Sequence, residues 1–152
     1  MPFCIESSLS GVERALKPDE LLWYRRTFEL SEAFYGKKVI LRFGAVDWQC
    51  KVWVNGKLVG THTGGYCPFS FEITGYINAH NNELTVCVYG PTDEGWQQRG
   101  KQVLKTHGFW YTATSGIWQT VWLEAVDRCY IREVKAVPDI DRGLFTLNTK
   151  LY

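Results

Sequence analysis

Short runs in which apolar and polar residues alternate recur along this chain, and they predict strands rather than helices. Leu22, Tyr24, Phe28 and Leu30 alternate with Trp23, Arg25, Thr27 and Glu29, with Arg26 interrupting the apolar face, as in a half-buried strand. Val39, Leu41 and Phe43 share a face. Phe69, Phe71 and Ile73 alternate with Ser70, Glu72 and Thr74, and Leu84, Val86 and Val88 with Thr85, Cys87 and Tyr89. Between these runs, residues 51–54 and 57–62 flank Asn55-Gly56, a dipeptide suited to the positive φ that a type I′ hairpin turn requires at both central positions.

The chain is organised around residues 107–126, HGFWYTATSGIWQTVWLEAV, which hold Trp110, Trp118 and Trp122. Ser115-Gly116 breaks this stretch and residues 117–126 read as a strand. Ile117, Gln119, Val121 and Leu123 lie on one face, Trp118, Thr120, Trp122 and Glu124 on the other. A strand with bulky groups on both faces is expected centrally in a sheet or under a neighbouring domain, with Trp118 and Trp122 in the core. Further strands are expected at 130–137 and 144–151. The lead-in, residues 3–20, has no clean period and predicts one short helical turn near residues 12–16. Counting gives about eight or nine short strands separated by turn signals, an all-β chain of the β-sandwich kind.

Residues 90–108, GPTDEGWQQRGKQVLKTHG, lose the apolar period. Loops of this length in a compact domain usually bind something or are disordered. Trp110, at the end of this loop, is placed to stack on the apolar face of a sugar.

With 152 residues the chain is one domain's worth. Its 17 basic and 16 acidic residues leave a net charge of +1, so no global field recruits nucleic acid or a membrane surface. No stretch has the apolar length of a membrane span, and the first 20 residues lack the pattern of a secretory signal. The five cysteines, Cys4, Cys50, Cys67, Cys87 and Cys129, have no C-x-x-C spacing, which argues for mostly reduced, buried thiols. His62, His80 and His107 share no ligand spacing, so neither a metal nor a cofactor is expected.

The segments LWYRRTFEL, LRFGAVDWQCKVWVNGKLVGTHTGGYCPFSFEIT, NNELTVCVYGPTD, RGKQ and WYTATSGIWQTVWLE, in this order, resemble the N-terminal sugar-binding domain of glycoside hydrolase family 2. That family includes β-galactosidases, β-glucuronidases and β-mannosidases, and the likeness runs over about residues 3–141. It implies a jelly-roll β-sandwich of the galactose-binding-like type spanning residues 1–141, with 142–152 leading toward an immunoglobulin-like domain. It also implies that catalysis belongs to a separate (β/α)₈ barrel, where a retaining glycosidase holds two carboxyl groups roughly 5 Å apart. No catalytic residue is therefore expected in this chain.

What the resemblance assigns to such a domain is recognition of a β-galactoside or related β-glycoside, beside the barrel and immunoglobulin-like domains of a parent chain. The Asn of the Val-Asn-Gly turn, here Asn55, is a sugar-binding candidate on that basis, although the turn alone also accounts for Asn at this position. The family's carboxylate near the later Trp is replaced by Gly108. The loop offers Arg99, Lys101, Gln102, His107 and Trp110 instead. Two other readings stand beside this one: an autonomous carbohydrate-binding module, and a purely structural interdomain scaffold.

Overall fold

The computed structural model describes residues 3–152. Strand β1 is Leu22–Phe28, β2 Lys38–Phe43, β3 Val46–Asp47, β4 Gln49–Val54, β5 Lys57–Thr63, β6 Phe69–Glu72 and β7 Asn82–Tyr89. Then come β8 Gln102–Val103, β9 Tyr111–Thr112, β10 Gly116–Ile117, β11 Val121–Val126, β12 Ile131–Asp139 and β13 Leu144–Leu151. Two antiparallel sheets form the sandwich, one in the order β1-β7-β4-β5 and the other β11-β2-β6.

The period of two decides which side chains fill the space between them. In β4, Cys50, Val52 and Val54 point inward while Gln49, Lys51 and Trp53 point out. Val39, Leu41 and Phe43 meet them from β2, joined by Val86 and Val88 of β7 and by Val46, Ile73 and Ile117. Burial of this contiguous apolar set is the main force holding the sheets together. Tyr24 adds a polar tie: its hydroxyl accepts the Ile117 N–H at 3.1 Å, and burial raises its pKa.

The Asn-Gly hairpin forms as expected, with φ of 52° at Asn55 and 76° at Gly56. Elsewhere the structure departs from the sequence reading. The stretch 117–126 is not one central strand: β10 pairs with β3, while β11 is an edge strand paired with β2. Trp122 accordingly lies on an open face, 42% exposed, and Trp118 is half-buried at the end of the sandwich; neither is in the core. In the lead-in a 3₁₀ turn forms at Ser8–Ser10, capped by the Ser7 hydroxyl, and no helix forms at 12–16. Ile5 and Leu16 bury themselves and pin this irregular segment to the sandwich.

All five cysteines are free; Cys50 and Cys87 are buried, but Cys67 and Cys129 are exposed, against the expectation of buried thiols. The hairpin of β12 and β13 pairs only with itself, and almost every residue in it is exposed. Tyr152 and Tyr130 stack with 5.4 Å between ring centroids, and the Lys38 ammonium of β2 lies 4.2 Å from the Tyr152 ring. No helix among the described residues is long and apolar enough to cross a membrane.

Candidate functional site

β4 and β7 carry the chain to the end of the sandwich where Gln49 pairs with Tyr89, and the long loop leaves from there. A cavity of about 140 Å³ opens at this end, lined by Asp47, Tyr66, Gln102, Thr114 and Trp118. Short elements fix its walls. Asp47 closes β3, Gln102 opens β8, and Thr114 and Trp118 flank β10.

Hydrogen bonds hold the wall side chains in place. The Trp118 indole N–H donates to the Gly65 carbonyl at 2.8 Å. Gln102 Oε1 accepts the Thr114 N–H at 2.5 Å, and its amide nitrogen donates to the Tyr66 hydroxyl at 3.4 Å. A side chain held at both ends presents a fixed edge to the cavity.

Asp47 is the electrostatic centre of the site. Its Oδ1 is buried with no hydrogen-bond partner, as is Oε1 of Glu6, whose other oxygen accepts the Ser115 N–H at 3.2 Å. Burial, and then the neighbouring Glu6 carboxylate, push the Asp47 pKa up to about 6. A lone acceptor in such a place is short of a donor, and a hydroxyl supplies one. Gly65 packs against this carboxylate: a Cβ there would stand 2.5 Å from Asp47 Oδ1.

The loop brings four of the sequence candidates together as a cationic and aromatic cluster. Phe109 stacks on Trp110 at 5.1 Å, the Arg99 guanidinium lies 5.6 Å from the Trp110 ring, and His107 lies 6.4 Å from it. Lys101 Nζ is 5.7 Å from the Phe109 ring. Arg99 also donates to the Asp93 carbonyl at 2.8 Å, which fixes its stem. Gln102, the next candidate along, is itself a wall of the cavity.

Asn55 stands apart. It lies at the far end of β4 from Gln49, roughly 20 Å away at the rise of an extended strand. Its amide nitrogen donates to the Tyr76 carbonyl and to Asn82 Oδ1, both at 2.8 Å, and its Oδ1 accepts the Glu83 N–H at 2.8 Å. Both N–H groups are engaged within the chain, and through these bonds Asn55 fastens the hairpin turn to the start of β7.

Sequence reasoning missed Asp47, Tyr66, Thr114 and Trp118. Asp47 sits in the alternating run before β4 and looks there like an ordinary polar strand residue; only the fold turns it into the cavity.

The profile described as "Glycosyl hydrolases family 2, sugar binding domain" matches residues 12–126. A β-galactosidase of Thermoanaerobacter pseudethanolicus is 38% identical over 118 residues, covering 77% of this chain and 15% of that protein. A solved β-glucuronidase of Bacteroides uniformis superposes with a TM-score of 0.60 at 33% identity, over 72% of this chain and 12% of that one. A β-glucuronidase of Faecalibacterium prausnitzii shares the fold over 99% of this chain and 30% of its own, with a TM-score of 0.72 at 24% identity. The chain thus spans only a small part of the relatives it matches. On the extent of that profile match and the all-β sandwich beneath it, the chain belongs to the sugar-binding domain of glycosyl hydrolase family 2.

Proposed function

We propose that this domain furnishes one wall of a sugar pocket in a family 2 glycosidase of the β-galactosidase type. In this reading the catalytic carboxylates belong to a barrel elsewhere in the parent, and the domain braces that barrel while holding hydroxyls of a β-galactoside or related β-glycoside. The observation that carries it is the unpartnered Oδ1 of Asp47, beside a cavity whose other walls are the amide of Gln102, the hydroxyls of Tyr66 and Thr114 and the ring of Trp118. Sugar hydroxyls donate to the carboxylate and accept from the amide, and the indole offers its face to the ring hydrogens. Arg99, Lys101, His107 and Trp110 form the rim that meets the rest of the ligand or the barrel.

The β12–β13 hairpin pairs with no strand of the sandwich, and the family match stops at residue 126. Both support a boundary before β12, earlier than residue 141, with the hairpin as part of the passage to an immunoglobulin-like domain.

The test is an amide NMR titration of the 152-residue chain with galactose, glucuronate and mannose. Shifts at Asp47, Tyr66, Gln102 and Trp118 that vanish in Gln102→Ala support the pocket wall and rank the sugars. A spectrum with no change at this end, up to the solubility of each sugar, would leave the domain a scaffold.

A further inference from the structure

The outer face of the four-stranded sheet carries a second hollow, of about 360 Å³, which shares no lining residue with the loop-end cavity. The strand register explains it. Trp23, Cys87, Lys51 and Thr61 form one row across β1, β7, β4 and β5. In the neighbouring rows Trp53 faces Thr85, and Gln49 sits between Tyr89 and Thr63. The small Cys87 side chain is therefore a floor surrounded by taller groups. Its thiol is buried, and burial raises its pKa, so the floor is an uncharged, weakly polar surface.

The walls combine two kinds of group. Trp23 and Trp53 stack at 5.6 Å with their planes 24° apart, and Trp23 remains 57% exposed, so its indole offers a free surface. Gln49, Lys51, Thr61 and Thr63 supply amide, ammonium and hydroxyl groups on the other side. Among the described residues, no carboxylate lines the hollow and Lys51 is its one Lys or Arg.

We propose that this hollow is a second carbohydrate-binding site, taking a pyranose unit of an oligosaccharide against Trp23 and Trp53. The apolar C–H face of a pyranose packs on an indole, and its equatorial hydroxyls then point sideways, where the amide and hydroxyl rim meets them. Its rim of amide, hydroxyl and ammonium groups argues against a purely apolar ligand. Lys51 adds affinity for a unit bearing a carboxylate at C6. The site lies on the sheet face and the pocket wall proposed above at the loop end, so either stands without the other.

The experiment is an amide and indole NMR titration of the 152-residue chain with galactobiose and, separately, with methyl β-glucuronide. Expected are saturable shifts at the Trp23 and Trp53 indoles and at Lys51 and Cys87, with affinity at least about ten-fold weaker in Trp23→Ala, as loss of an aromatic stacking surface implies. Lys51→Ala, a change at an exposed side chain, weakens the glucuronide more than galactobiose. Three results would overturn the site: no sheet-face shifts up to about 50 mM sugar, the range of very weak binding; shifts unchanged in a folded Trp23→Ala chain; or sheet-face broadening that follows protein concentration and ignores sugar, which would assign the face to a second copy of the chain. Shifts confined to Asp47, Gln102 and Trp118 would sink this proposal and leave the pocket wall intact.

Discussion

The indole N–H of Trp118 reaches the carbonyl of Gly65 at 2.8 Å and ties the segment after β10 to the turn after β5. This bond, beside the edge contact of the Trp118 ring with Tyr66, links two walls of the loop-end cavity. Trp118→Phe keeps an aromatic ring and removes the donor. It should cost about 1 kcal/mol of stability, the net worth of one hydrogen bond, and weaken any sugar response at Asp47 and Gln102. Urea unfolding and the NMR titration of the variant check both parts.

Gly65→Ala attacks the same cavity from the other side. The added Cβ would sit 2.5 Å from Asp47 Oδ1, so the carboxylate or the turn must move. The expected outcome is a chain that still folds but whose loop-end amides shift without ligand and no longer respond to sugar.

Asp47 makes stability depend on pH in an unusual direction. Its folded pKa, pushed up to about 6 from an ordinary 3.8, means the folded state holds this proton more tightly than the unfolded state. Its contribution is therefore most favourable below pH 3.8 and declines as pH rises through the window from 3.8 to about 6. Allowing for solvent that still reaches the side chain, the decline is on the order of 2 kcal/mol. Asp47→Asn should be more stable than the parent at pH 7.5 and lose this component of the pH profile. Chemical denaturation at a series of pH values measures it, and a saturating sugar that donates to Oδ1 should flatten the slope.

Removing the Asn55 side chain strands the Glu83 N–H, the Tyr76 carbonyl and part of Asn82, which is fully buried. Asn55→Ala also places alanine at a φ of 52°. The two effects together predict a loss of about 2–4 kcal/mol. Asn55→Gly keeps the backbone conformation and isolates the hydrogen-bond part. Neither variant should alter sugar shifts at the loop end while it stays folded.

The thiols should divide by position. A disulfide reagent is expected to reach Cys67 and Cys129 first, since both are exposed, while Cys50, whose pKa burial pushes up to about 12, stays unreactive until unfolding. Counting thiols released over time in native and denatured protein checks the order.

The strands of the sandwich were legible because each has one clear face. Cys50, Val52 and Val54 alternate with the outward Gln49, Lys51 and Trp53, Val39, Leu41 and Phe43 share a face although Ile40 between them is also buried, and the Asn-Gly turn has few structural alternatives. The tryptophans misled. Trp118 and Trp122 look like core on hydrophobicity alone, yet one ends the sandwich and the other lies on an edge strand, because the stretch divides into β10, paired with β3, and β11, paired with β2. The site was half visible. Its loop cluster of Arg99, Lys101, His107 and Trp110 is local in sequence, and Gln102 belongs to the same run. Asp47 and Tyr66 come from elsewhere in the chain, and their meeting with Gln102 is a product of tertiary pairing that no local pattern encodes.

The hollow on the sheet face owes its depth to one position. Cys87 stands where the row of Trp23, Lys51 and Thr61 crosses β7, and a leucine or phenylalanine there would bring the floor level with the walls. The strands, their order and the inward-facing core would be untouched. Two chains with the same sandwich and nearly the same surface would then differ, by a single codon, in whether this face is concave or flat. Comparing such domains by fold alone would miss that difference; comparing the one residue would find it.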